Sequence, residues 1–376
     1  MIYLDNSSTT KRKPLKVIVS TTLSLINSAN PTRSSHKIAL KSALKVFKAR
    51  QTIKTFLNTP QKADVVFTYN CTEALNMAIF GSAKNNGNVV ITAFEHNSVL
   101  RPLYALKKTH NITITVVNPT PQGKISEQDI LNAVNKNTYL VIVNQTSNVT
   151  GATITLNNLG HKLNKLGIML LIDCAQSAGH AKINMQKIGA NFLTLAGHKG
   201  LFGSQGIGAL IINNANLTPL KFGGSGGDSL NENMPAYYPE KLEAGTINTV
   251  GITSLENGIK FVLKHQNKIN KKIETMSKYI INALKQNPSI KLFSNNLHSG
   301  VISFSFLNID NAEATNILNE KYGICLRHGL HCAPLIHKFL KTEQCGLIRI
   351  SLSYFNNMAQ AKKLIYAINK ISQLKN

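Results

Sequence analysis

The run Ile168-Met-Leu-Leu-Ile-Asp173-Cys-Ala-Gln176 decides the fold. An unbroken apolar stretch ends on a carboxylate, with small and polar residues behind it. A strand apolar at every position must be covered on both faces, as strands of parallel α/β sheets are. Similar short runs lie on either side: Asp64–Thr68, Val89–Ala93, Ile112–Val117, Tyr139–Asn144, Phe192–Ala196 and Ile207–Ile212. Helical patterns separate them: Thr72–Gly81, Asn97–Lys108 with Asn97 as its cap, Ser126–Val134 opened by a Ser126/Asp129 capping box, and Leu156–Leu166. Residues 14–58 read as helical, broken at Asn30-Pro31-Thr32-Arg33. The pattern predicts an α/β fold with a mostly parallel sheet clad in helices.

Beyond the glycine-rich Gly223–Gly227 and the segment Glu243-Ala-Gly-Thr246 the texture changes. Gly251–His265 and Ile269–Gln286 read as two long amphipathic helices. A strand over Gly300–Phe306, a helix over Ala312–Tyr322, a strand over Leu347–Ser351 and a terminal helix over Met358–Leu374 follow. This divides the chain into an N-terminal arm (1–13), a large domain (14–255) and a smaller α+β domain (256–376).

The 376 residues carry 42 Lys and Arg against 17 Asp and Glu, a net charge of +25. Such an excess often marks a nucleic-acid binder. Here only Arg12, Arg33, Arg50, Arg101, Arg327 and Arg349 are arginines, the lysines are spread singly, and Trp is absent. A solvated lysine-rich surface fits that distribution better than a base-stacking reader, which presents aromatics beside arginine. Five scattered cysteines do not form a disulfide framework and point to free thiols. The absence of an N-terminal leader or a long apolar span predicts a soluble, cytoplasmic protein.

Five elements carry chemistry. Ala196-Gly-His-Lys199-Gly200 places a lysine just past an apolar strand, and burial there lowers its pKa and frees a nucleophilic amine. Asp173 needs a partner for its buried charge; a pyridinium nitrogen, a metal or a helix N-terminus would serve. Thr68-Tyr-Asn-Cys71-Thr72-Glu73 turns a strand into a helix, either as a phosphate cradle or as simple capping. Phe94-Glu-His96-Asn97 offers a flat ring able to move protons. The fifth element is Arg327-His-Gly-Leu-His331-Cys332-Ala-Pro334 with Arg349. It joins a candidate nucleophile in a cationic setting to a bidentate carboxylate anchor. A metal site from His328, His331, Cys332 and His337 is the weaker alternative, because the spacing matches no familiar zinc pattern. The first four all fall at strand carboxyl ends, where open α/β sheets bind ligands.

Taken together the motifs resemble the cysteine desulfurases, the class V aminotransferase branch of the fold-type-I pyridoxal phosphate enzymes. The likeness runs from Tyr3-Leu-Asp-Asn6 through Asn30-Pro31, Thr72-Glu-Ala74, Glu95-His-Asn97, Ser147-Asn148, Asp173-Cys-Ala-Gln176, Gly197-His-Lys199, Glu243-Ala-Gly-Thr246 and Arg327–Cys332 to Arg349. The Cys332-Ala-Pro334 context is most similar to the group II type. The resemblance implies a large domain with a seven-stranded-type sheet and pyridoxal 5'-phosphate as cofactor. It implies Lys199 as the Schiff-base lysine, Asp173 at the ring nitrogen, Gln176 at the phenolic oxygen and His96 over the ring. Cys71, Thr72, His198 and a neighbouring subunit's Thr246 would hold the phosphate. Arg349 and Asn148, with Arg327, would bind the substrate. Cys332 would take sulfur from L-cysteine as a persulfide, release L-alanine and pass the sulfur to an acceptor protein, within a homodimer.

Two departures stand out: Ala196 where many relatives have a phosphate-binding Ser, and Leu330 where a His is common. Selenocysteine lyase, cysteine sulfinate desulfinase or another β-elimination on the same fold is the alternative activity.

Overall fold

The computed structural model describes residues 1–373 apart from Asp228 and Asn295. After β1 (Ile2–Tyr3) come β2 (Asp64–Thr68), β3 (Asn88–Thr92), β4 (Thr113–Val117), β5 (Thr138–Asn144), β6 (Met169–Asp173), β7 (Phe192–Ala196) and β8 (Gly208–Ile212). Among the described residues β2 to β8 form a seven-stranded sheet in the order β2-β8-β7-β6-β5-β3-β4. Only β8 is antiparallel to its neighbours. The β2 strand therefore runs with the remaining five, and its carboxyl end meets theirs at one edge. Every residue of β3, β5, β7 and β8 is buried, as two-sided cover requires.

At that edge the backbones crowd together. A Cβ on Gly208 would lie 2.6 Å from the Asn70 carbonyl carbon and 2.8 Å from the Leu195 oxygen. Gly179, with φ +94°, would drive a Cβ to 2.2 Å from the Gly200 oxygen, so only glycine lets that turn rest against the one following Lys199.

The second unit contains β9 (Ile290–Leu292), β10 (Val301–Phe306), β11 (Ile324–Cys325), β12 (Arg327–Gly329) and β13 (Leu347–Ser351). Strands β12-β13-β10-β9 make an antiparallel sheet. Phe304, Ile348 and Ile350 pack there with Leu318 of the helix Asn311–Tyr322 and with Leu364 and Ile368 of the helix Met358–Ser372.

The first ten residues join the two units. β1 pairs in parallel with β11. Asn6 Nδ2 donates to the Ser351 carbonyl at 2.9 Å, and the Ser7 N–H donates to Ser351 Oγ at 2.9 Å. Thr10 then donates its N–H to the His198 carbonyl at 3.0 Å and its hydroxyl to the Lys199 carbonyl at 3.2 Å.

Several expected boundaries shift. The two long helices are one, Thr249–Lys285, because 266–268 holds no proline or glycine and Gln266 bonds Asn270 one turn on at 2.9 Å. The helix after β3 is capped by His96, whose side chain accepts from the Ser98 N–H, rather than by Asn97. The Ser126/Asp129 capping box is present, on a shorter helix, Glu127–Asn132. The helix expected over 156–166 covers Leu159–Asn164, and the terminal helix ends at Ser372, with Leu374 lying outside the described residues. Among the described residues no helix is long and apolar enough to cross a membrane.

Candidate active site

The apolar strands deliver their polar termini to a single cleft lined by Cys71, Thr72, His96, Asn148, Asp173, Gln176, His198 and Lys199, together with Ser98, Asn144, Ala175 and Ala196. Asp173 is the last residue of β6 and Asn144 of β5. Cys71 opens the helix Cys71–Gly81 behind β2. Lys199 sits three residues past β7. Burial lowers its pKa against the pull of Asp173, which favours the charged form.

The Asp173 carboxylate is held from behind. Its Oδ1 accepts the Ala175 N–H at 2.8 Å and faces Cys71 Sγ at 3.5 Å, while that sulfur also meets Thr194 Oγ1 at 3.3 Å. Burial pushes the Cys71 thiol well up, so it stays protonated. The side chain expected at a phosphate therefore points to the Asp173 carboxylate, leaving Cys71 only its backbone N–H for an anion. The first internal bond of the helix runs from Ala74 N–H to Asn70 C=O, and Asn70 Oδ1 takes the Glu73 N–H. The N–H groups of Cys71 and Thr72 are thus left for a ligand.

Thr72, Ser98 and His96 form a chain. Thr72 Oγ1 and Ser98 Oγ are 2.8 Å apart, and His96 Nδ1 lies 2.8 Å from Ser98 Oγ while accepting the Ser98 N–H at 3.0 Å. With Nδ1 as acceptor, a neutral ring carries its proton on Nε2. Burial and then Lys199 push His96 down to about 4. Gln176 donates to the Ser7 carbonyl at 3.0 Å.

Cys332 lies beside this cleft, between β12 and the helix Pro334–Leu340. His331 and Cys332 have φ of 50° and 59°, a costly left-handed pair for non-glycine residues. Bonds on every side hold it: the Cys332 carbonyl accepts the Asn97 N–H at 2.7 Å, and the His331 carbonyl accepts Asn148 Nδ2 at 2.6 Å. His331 Nε2 meets the Leu347 carbonyl at 3.1 Å. Arg327 Nη2 is 3.6 Å from Cys332 Sγ. Arg349, 1% exposed, donates to the Asn148 carbonyl at 3.0 Å and to Asp5 Oδ1 at 2.8 Å. Thr246 stands apart: exposed, outside the cleft, and bonded to Asn30 at 3.3 Å. Among the described residues no cluster of His, Cys, Asp or Glu is placed to hold a metal.

The sequence reading passed over Ser98, Asn144, Asp5, Ser8 and Glu95. Asp5, within the Tyr3–Asn6 motif, and Asn144, at the end of an expected strand, left a weaker signal than Glu95, a carboxylate at an apolar strand end. Glu95 is fully buried, accepts from the Thr92 hydroxyl and the Asn144 N–H at 2.7 Å each, and burial pushes it up to about 8.

These shifts set a pH dependence. Burial lowers His180 and His198 to about 4 and His331 to about 2, alongside His96, against 6.5 in the unfolded chain. Below pH 6.5 the unfolded chain binds more protons at these four sites, so their stability contribution is lost as pH falls toward 4. Glu95 acts oppositely: its contribution is fully present below 4.5 and is lost as pH rises to about 8. Four sites outweigh one. The urea midpoint of the apoprotein should fall steeply from pH 6.5 to 5; a midpoint that is flat or rising over that interval contradicts these burials.

The cleft suits a flat anionic aldehyde cofactor. Its donors are two free helix N–H groups and a hydroxyl. His198 Nδ1, Asn148 Oδ1 and Asn144 Oδ1 are buried without hydrogen-bond partners among the described residues, as groups awaiting a polar ligand would be.

Residues 2–364 match the family model described as Aminotransferase class-V. A probable cysteine desulfurase of Methanothermobacter thermautotrophicus is 30% identical over 391 residues, covering 99% of this chain and 94% of that protein. One from Borreliella burgdorferi is also 30% identical, covering 99% and 92%. Among solved structures, the apo cysteine desulfurase of Thermococcus onnurineus aligns with a TM-score of 0.90 at 27% identity, over 99% of this chain and 94% of that one.

Proposed function

The chain belongs to the cysteine desulfurases of the class-V aminotransferase family, and from that premise we propose that Cys332 takes the sulfur of L-cysteine as a persulfide while L-alanine is released. The observation that carries this reading is how the Cys332 turn is tied. Asn97 and Asn148, which hold its two carbonyls, flank and line the cleft of Lys199 and Asp173.

Pyridoxal phosphate, on which the family depends, supplies an electrophilic carbon for the substrate amine and a sink for the α-carbon's electrons. Thr72, the Cys71 and Thr72 N–H groups and His198 would hold its phosphate. Asp173 would keep the ring nitrogen protonated, and Gln176 and His96 would fix the ring. Lys199 Nζ would hold the cofactor covalently, and its amine is the group placed to take the substrate α-proton, a task favoured by its lowered pKa. Arg349 and Asn148 anchor the substrate carboxylate. The Cys332 thiolate attacks the substrate sulfur: an S–S bond forms, the Cβ–S bond breaks, and its electron pair stays on the carbon, which takes up a proton from water to become the methyl of alanine.

The reading extends to the assembly. A second copy would complete each site through Thr246. It is supported by exposed apolar residues on the first two helices, among them Leu25, Ile26, Leu40 and Phe47. The 14–255 part carries the cofactor side, and the 256–376 part, braced by the 1–13 arm, carries Cys332 and Arg349. We place the enzyme in the cytoplasm, delivering sulfur to an acceptor protein such as iron–sulfur cluster assembly requires.

The test is a single turnover. Holoenzyme mixed with L-cysteine without a reductant should form one alanine per site, and the Cys332 peptide should gain the mass of one sulfur atom. Alanine formation with the extra sulfur on another cysteine, or on none, would refute the assignment.

A further inference from the structure

Arg327 and Arg349 are direct cross-strand partners on β12 and β13. Like charges so placed repel, and each guanidinium needs a reason to stay. That reason is one hydroxyl from the N-terminal arm. Ser8 Oγ accepts from Arg349 Nη2 at 3.0 Å and from Arg327 Nη1 at 3.3 Å, and donates to Asp5 Oδ1 at 2.8 Å. Asp5 in turn pairs with Arg349. A hydroxyl has one proton and two lone pairs, and all three are used here. The remaining Nη2 of Arg327 reaches Cys332 Sγ at 3.6 Å.

We propose that Ser8 is a positioning residue that clamps Arg327 and Arg349 together and thereby holds the Arg327 guanidinium against the Cys332 sulfur. It rests on the reading of Cys332 as the nucleophile, and adds that the arm, 319 residues away from Arg327 in sequence, conditions that thiol. Without the hydroxyl, two guanidinium N–H groups lose their acceptor and repulsion moves Arg327, the less buried of the two, away from Arg349. Cys332 Sγ then loses the guanidinium group that faces it at 3.6 Å.

The experiment is alkylation of the holoenzyme by iodoacetamide with no cysteine added, followed by peptide mass spectrometry. The exposed Cys345 of the same chain serves as reference. In Ser8→Ala the Cys332-to-Cys345 rate ratio should fall several-fold at pH 7. Ser8→Thr, which keeps the hydroxyl, should restore it at pH 7. In an Arg327→Gln background, Ser8→Ala should change nothing further. A wild-type ratio in Ser8→Ala, no rescue by Thr, or a further loss on adding Ser8→Ala to Arg327→Gln overturns the clamp. The readout needs no turnover, so the clamp and the persulfide assignment fail separately.

Discussion

Lys199→Ala should lose turnover by at least about 10⁴-fold, because on the proposed reading one side chain serves both as the covalent holder of the cofactor and as the α-proton base. The structure leaves no substitute. The two histidines that line the cleft, His96 and His198, have their pKa values pushed down to about 4 and are poor bases near neutrality. The cofactor can still lodge through the phosphate cradle and Asp173, so the variant should bind it more weakly rather than not at all. The visible band that marks a lysine-bound cofactor disappears. Lys199→Arg should fail equally, since a guanidinium keeps its proton and cannot act as a neutral amine. Dialysed protein, its absorbance spectrum and alanine release from L-cysteine measure all three. A variant that keeps the band would place the covalent attachment on another lysine.

Cys332→Ser should behave in the opposite way. The Lys199 cleft does not depend on this sulfur, so the spectrum and its response to added L-cysteine should persist. Alanine formation should fall by roughly 10² or more, since a hydroxyl is neither ionised near neutrality nor an effective nucleophile toward sulfur. Selenocysteine separates the readings, because expelling selenium need not use a protein thiol. If the variant still releases alanine from L-cysteine at the wild-type rate, the chain is a lyase that needs no persulfide.

What the amino-acid order reveals depends on distance along the chain. Asp173, His96 and Lys199 are legible because each punctuates an apolar strand, and a parallel sheet sends those ends to one edge. The joined helix Thr249–Lys285 was harder to foresee, because its middle is too polar to show a buried stripe. The direction of Cys71 was not legible either. A side chain in the first turn of a helix can face a ligand or the neighbouring strand, and only the β6–β7 register, which sets Asp173 beside Thr194, decides between them. Ser8 as a site residue, and Asp5 as the partner of Arg349, were invisible: nothing local to Asn6-Ser-Ser-Thr9 reveals two arginines more than 300 positions away.

The arm also bears on how the protein is made. β1 leaves the ribosome well before its partner β11 and before the Arg349 that binds Asp5, 344 residues later in the case of Arg349. At about 5–20 residues per second, synthesis keeps that pairing open for tens of seconds. The Lys199 turn can fold onto its sheet in this interval, but the contacts that hold Arg349 and, through Ser8, Arg327 cannot close until residue 349 has emerged. A nascent chain therefore bears its lysine before its clamped thiol, so on the proposed reading a polypeptide that stops short of Arg349 exposes no sulfur-extracting centre.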